Sequence, residues 1–390
     1  MAKSNSKGAD EKKGKEKKDK KEKKEKKEKG LRPPKTSMQP PRGVSVDLEI
    51  KPPQQISPEE ALKKFGPCHV EAQQAKTAIL LLPSPETHVV LESLNCLQKF
   101  CKKRDENKRM FIEMGGLIEA RKLIFSDNLV IQRFAMKLIA VTSTFHEAVV
   151  QLRDLDLASD FISLAALEDD VVVEYATFAL SSLAMLYTGR LQIVQNTGVP
   201  LFIHLLSHTD PDIQKNSAET IWRLLEEPLN IDLITTKGSV EPIVKLVNSE
   251  YPALQIVAIS ILEKIAARDP GVQVLDGIEA MHPLGEKLAL PEYGDLHRVI
   301  LKTLINMCMN QSARLKIVPL VPVAARVLDT TPDSIAQVHA LGLLGILSSV
   351  PPVATGLVDF GMCKRLIKIL SGDSETDMKE TAALLLFTYF

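Results

Sequence analysis

An apolar residue recurs along this chain at Val89, Ile131, Val172, Ile213, Leu254, Leu296, Ala336 and Met378, at intervals of 42, 41, 41, 41, 42, 40 and 42 residues. Four residues after each comes Ser93, Ala135, Ala176, Ser217, Ala258, Ile300, Ala340 or Ala382, small in every case but Ile300. Eight residues after each comes Leu97, Ile139, Leu180, Ile221, Leu262, Leu304, Leu344 or Leu386. Steps of four at roughly 100° per residue stay on one side of a helix. In PDIQKNSAETIWRLL the side is Ile213, Ser217, Ile221 and Leu224. Each period therefore holds an amphipathic helix with a small residue in its stripe, where a neighbouring helix can approach closely. A unit of this length cannot bury its own apolar face, so copies must stack on one another.

A second track precedes the first by eight or nine residues: Leu81, Leu123, Leu164, Leu205, Leu246, Leu288, Val327 and Ile369. These residues end segments such as PLFIHLLS and EPIVKLVNS, which read as a shorter helix before each long one. Between one long helix and the next short one lie segments such as NKRMFIEMGG and GRLQIVQNTG. Gly116, Gly198, Gly238 and Gly361 fall where such a segment should end. Three helices per period follow. With 45% apolar but only 5% aromatic residues, aliphatic helix-on-helix packing is expected rather than a sheet sandwich.

Net charge is zero, yet residues 1–30 hold fourteen Lys against seven Asp and Glu, so the remainder is acidic by the same amount. No apolar residue between Asp10 and Gly30 could nucleate a core, and residues 1–30 read as a disordered Lys-rich tail. The tail either solvates the chain or is drawn to a polyanion: nucleic acid, an acidic membrane, or the acidic tails of a microtubule or axonemal surface. Its interspersed acids and lack of Arg and aromatics exclude specific nucleic-acid reading. Residues 31–58 contain seven prolines, and 31–70 read as an extended linker with one short helix after Ser57, leaving 71–390 for the repeats. Met1 is followed by charged residues rather than an apolar leader, and no run suits a transmembrane segment.

No chemistry-bearing motif appears. Five cysteines are scattered without ligand spacing and read as reduced thiols. His204 and His208 stand at i and i+4, but no third ligand is near in sequence. No phosphate-binding or nucleophile-elbow glycine pattern occurs. No catalytic residue, metal site or cofactor is expected, and the acidic pairs Asp169-Asp170 and Glu226-Glu227 read as solvated caps at repeat turns.

The period, the three-helix punctuation and the small-residue position together resemble the armadillo repeat over about residues 71–390. The resemblance implies an all-α fold: a right-handed armadillo superhelix of about eight three-helix repeats, whose third helices line a concave groove. Offsets 6 and 10 from each anchor point into it. Nuclear-import members of the family resemble a ladder of Trp at offset 6 and Asn at offset 10. Here offset 6 never holds Trp, and Asn306 is the one Asn at offset 10. Lys99, Lys137, Arg223, Lys264 and Lys302 occupy the groove positions instead, with Arg133 and Arg298 at offset 2 and Phe134, Tyr175 and Phe178 beside them. The expected role is a protein-binding scaffold that takes acidic extended partner segments. Resemblance to a longer member implies a cytoplasmic protein of cilia or flagella in ciliated and male germ cells. A catenin-like signalling or transport adaptor is the alternative. The final helix, DMKETAALLLFTYF, stops within a repeat and is apolar nearly all round, which suggests either a piece of a longer chain or a covered end.

Overall fold

The computed structural model describes residues 67–236, 238–359 and 361–389, and the described residues belong to one compact unit. The Lys-rich tail, the linker and the short helix expected after Ser57 lie outside the described residues. Within them, the first helix is Pro67–Leu81, which begins a few residues before the expected boundary at 71.

Eight long helices carry the repeat: α1 (Thr87–Lys103), α2 (Leu129–Thr142), α3 (Asp170–Leu183), α4 (Pro211–Leu224), α5 (Pro252–Ala266), α6 (Gly294–Met307), α7 (Ser334–Leu347) and α8 (Thr376–Tyr389). Their starts are written into the sequence. Asn128, Asp169, Asp210 and Asp333 accept hydrogen bonds from the exposed N–H groups of α2, α3, α4 and α7, and proline opens α4 and α5. Each long helix packs on the second helix of its own repeat and on the long helix of the repeat before and after.

That arrangement widens the buried face beyond one stripe. The small positions, Ser93 through Ala382, are all buried, and so is Ile300. Met136 and Leu138, Ala218 and Thr220, and Ile259 and Ile261 are buried too, one residue to either side of the stripe. A helix with neighbours on three sides needs this wider face. Its buried threonines satisfy themselves locally: Thr177, Thr220 and Thr303 donate to carbonyls of their own helix four residues back, at 2.9, 2.8 and 2.8 Å.

The first repeat departs from the expected register. Val90 and Leu82 are buried, whereas Val89 is half-buried and Leu81 is 42% exposed. Among the described residues no long helix of an earlier repeat packs against α1 to fix its rotation. At the far end, Leu385 is buried and Leu386 only partly so.

The turn between the first and second helices repeats more strictly than the glycines suggested. A residue with positive φ recurs at Gly115, Asp156, Thr197, Gly238 and Glu279, 41 residues apart each time, and again at Gly361. Thus Gly115 and Thr197, not Gly116 and Gly198, terminate their helices. Gly116 instead begins the next helix, where a Cβ would come within 2.1 Å of the Phe111 ring. Sequence reading misplaced these two because left-handed backbone favours glycine, but a strong enough tertiary frame imposes it on Asp, Thr and Glu at about 1 kcal/mol each.

Two further glycines let the first helix of a repeat lie against the end of the previous long helix. A Cβ at Gly189 would meet the Leu183 carbonyl oxygen at 2.1 Å, and one at Gly271 would meet that of Ile265 at 2.0 Å. Gly189→Ala is expected to destabilise the chain by about 1–3 kcal/mol, because backbone must move. Gly277→Ala, where nothing lies within 4 Å, should be neutral or slightly stabilising. Thermal melts followed by circular dichroism compare the two; equal midpoints would refute the close approach.

Candidate functional site

The long helices α1 to α8 pack side by side, and the residues singled out by their offsets stand on α1 to α6. Lys99, Arg298 and Lys302 are exposed; Arg133, Phe134, Lys137, Tyr175, Phe178, Arg223, Lys264 and Asn306 are half-buried. What separates them is their partners.

One group latches neighbouring repeats together. Arg133 on α2 donates to the Asp169 carboxylate at the start of α3, through Nε at 3.1 Å and through a second guanidinium nitrogen. Arg223 on α4 reaches back to the Ser181 hydroxyl of α3, and within its own helix to Glu219 at 3.3 Å. Lys264 on α5 donates to the Trp222 carbonyl at 3.1 Å, stands 4.3 Å from the Trp222 ring centre, and lies 3.8 Å from Glu226. Lys302 on α6 pairs with Glu263 of α5 at 2.9 Å, and Asn306 donates to the Glu263 carbonyl at 3.5 Å.

The remaining junctions are latched by residues that spacing did not single out. Gln98 donates to the Phe134 carbonyl at 2.9 Å, joining α1 to α2. Asn216, buried in α4, donates to the Glu174 carbonyl at 3.2 Å and the Thr177 hydroxyl at 3.3 Å on α3. His339, in its δ-protonated tautomer, donates to the Arg298 carbonyl at 3.0 Å and joins α6 to α7. Every junction from α1 to α7 thus carries a polar side chain reaching into the neighbouring helix. Of the acidic pairs, Asp169 caps α3 and Asp170 is exposed, as expected, whereas Glu226 and Glu227 also lie 3.6 and 2.9 Å from the buried Arg190. Trp222, conspicuous only for its absence from offset 6, turns out to be a latch partner; a lone Trp one residue before an Arg was the available signal.

The second group has no carboxylate in ion-pair reach among the described residues. Lys99 and Arg298 project free cations, and Lys137 lies 6.0 Å from the centre of the Tyr175 ring. Phe134 and Tyr175 pack partly against the core, and Phe178 is half-buried beside them. Electrostatics divide along the same line. The hydrogen bond from Arg133 holds the Asp169 carboxyl below the usual aspartate range, whereas burial, with Asp212 and Asp210 nearby, pushes Glu174 up against the pull of Lys137. Burial lowers Lys264 despite Glu226 and Glu263, and raises the Tyr175 phenol.

No chemistry converges on this face. Among the described residues, no three His, Cys, Asp or Glu side chains are grouped to hold a metal. His204 is exposed, and His208 is engaged locally, its Nδ1 accepting the Asp210 N–H at 3.0 Å. Cys101 and Cys308 are buried and their thiols are pushed up to about 12, which suppresses the reactive thiolate. No described helix is long and apolar enough to cross a membrane.

Asp169 supplies a direct check on the latches. Its pKa is lower folded than unfolded, so its contribution is present above the ordinary value of 3.8 and is lost as pH falls through the lowered folded value. Asp169→Ala removes a helix cap as well as the pair and should cost about 1–2 kcal/mol near neutral pH. That penalty should shrink as melts are repeated at progressively more acid pH, as the wild-type carboxyl is protonated through its lowered folded value. A penalty independent of pH would show that the ion pair contributes nothing.

Comparison with known proteins agrees with this geometry. Residues 189–226, spanning Gly189 to Glu226, match the model of the Armadillo/beta-catenin-like repeat. Human armadillo repeat-containing protein 3 is 31% identical over 178 residues, a match that takes in 45% of this chain and 20% of that protein. The chain therefore corresponds to a limited part of that relative's length. A crystal structure of an engineered protein superposes with a TM-score of 0.73 at 24% identity, covering 82% of this chain and 83% of the other. A computationally designed armadillo repeat protein, made for modular peptide recognition, superposes with a TM-score of 0.56 at 18% identity over 60% of this chain and 99% of its own. These likenesses, with the 41-residue spacing and the ladder of long helices, show an armadillo-repeat fold, in which residues 189–226 match the repeat's own model.

Proposed function

We propose that the chain is a non-enzymatic scaffold that holds an extended segment of a partner protein along the shared face of α1–α7. The reading rests on one observation: most cations of that face are spent on neighbouring repeats, while Lys99, Lys137 and Arg298 have no carboxylate within ion-pair distance among the described residues. An acidic extended segment would complement them, with Phe134, Tyr175 and Phe178 receiving an apolar side chain beside Lys137. Arg133, Arg223, Lys264, Lys302 and Asn306 hold the repeats in register beneath the segment and lend it hydrogen-bond donors. The designed armadillo proteins made for peptide recognition support the use of this fold for extended chains.

The site of action is proposed from the similarity to armadillo repeat-containing protein 3: the cytoplasm of cilia or flagella, including the sperm axoneme. There the fourteen lysines of residues 1–30 would favour acidic filament surfaces. A catenin-like adaptor role, favoured by the beta-catenin-like repeat at 189–226, differs in leaving that tail merely solvating. Co-sedimentation with microtubules, with and without residues 1–30, separates the two.

The face itself is tested by Lys99→Glu, Lys137→Glu and Arg298→Glu together. Fluorescence anisotropy with a labelled Glu- and Asp-rich peptide should show affinity lowered by about tenfold or more and its salt dependence flattened. The thermal midpoint should barely move, because these side chains make no ion pair within the fold. Arg223→Glu, by contrast, should lower the midpoint. Unchanged peptide binding by the triple variant would overturn the proposal.

A further inference from the structure

A second surface lies on the edge where the long helices begin. In the second and third repeats this edge carries Phe125, Leu129, Val130, Leu167 and Val171, exposed by 54, 42, 45, 45 and 37%. Leu129 and Val130 open α2, and Val171 lies in the first turn of α3. The two long helices pack on each other and the Arg133–Asp169 bridge ties the start of one to the other, so the five side chains stand on one edge of adjacent repeats. The fold does not require them. The equivalent positions one repeat later are Ser207, Pro211, Asp212 and His208, and that repeat packs as well as its neighbours. Isolated exposed apolar residues are ordinary; a contiguous group at positions the architecture leaves open marks an interaction surface.

The rim states the charge of the occupant. Asp127 and Glu168 are exposed with no cation in ion-pair reach among the described residues, and Asp170 has only His208, at 3.5 Å. A second copy of this chain would bring an acidic rim against an acidic rim, which like-charge repulsion disfavours. We infer that the edge of the second and third repeats docks a partner segment with two or more large apolar side chains flanked by Lys or Arg. This partner is opposite in charge to the acidic segment proposed for the shared face. The two surfaces meet at Arg133–Asp169, where a cation of the face is bonded to an acid of the edge.

The test uses the full chain and a random-peptide display library as the probe. Wild type serves as bait, with counter-selection on the variant Phe125→Ser, Val130→Ser and Val171→Ser. Peptides specific to wild type are expected to carry paired large apolar residues with flanking Lys or Arg. Their affinity should fall about tenfold or more with Asp127→Asn and Glu168→Gln together, and be unmoved by Lys99→Glu, Lys137→Glu and Arg298→Glu. Because all substituted residues are exposed, an unchanged melt confirms that the variants fold. Failure to recover peptides that distinguish wild type from the serine variant would overturn the inference, as would recovery of acidic ones. A wild-type dimer that the serine variant dissolves would overturn it in favour of self-association. Loss of binding to the shared face alone would leave it standing and count against the scaffold reading instead.

Discussion

A small side chain four residues into each repeat's stripe allows the long helices to lie against one another on both sides. Ala135, Ala176, Ser217, Ala258 and Ala340 have no exposed surface at all. A larger residue at each would force the helices apart or off their rotamers, at about 1–3 kcal/mol per site. Ile300 shows that one exception is absorbed, since it too is fully buried. Once the helices are this close, each is buried on three sides, and little of its circumference remains for solvent or a partner.

That scarcity shapes the polar chemistry. A polar group near a helix junction gains from a partner there, because burying it unbonded costs about 1–3 kcal/mol. Gln98, Asn216, Arg223, Lys264, Asn306 and His339 each answer by bonding the backbone or side chain of the neighbouring repeat. Such latches are specific to each junction, unlike the aliphatic stripe, and so fix register where the apolar pattern is nearly the same in every copy. Among the exposed side chains that make no latch are the cations Lys99 and Arg298 and, at the start of α2 and α3, Leu129, Val130 and Val171.

How much of this the sequence disclosed follows from the range of each interaction. The period, the helix starts at Asn128, Asp169, Asp210 and Asp333, and the buried small positions were legible, because they depend on local propensity and on a pattern repeated eight times. The rotation of α1 was not, since it depends on having one long-helix neighbour fewer, and Val90 replaced Val89 in the core. Thr197 and Asp156 gave no hint of positive φ, because the surrounding repeat imposes it. The offsets place the candidate partner-binding side chains on the long helices, and helical spacing alone carries that much. Which cations would be engaged was not legible: Arg133 and Asp169 are 36 residues apart, and only stacking brings them together.

Hydrogen exchange of the full chain, with and without a short Glu-rich peptide, most directly tests the division between latched and available side chains. The expected result is added protection along α2, α3 and α6, where Lys137, Tyr175, Phe178 and Arg298 lie, with the first and second helices unchanged. Protection confined to those outer helices, or none at peptide concentrations that saturate other binding signals, would contradict it.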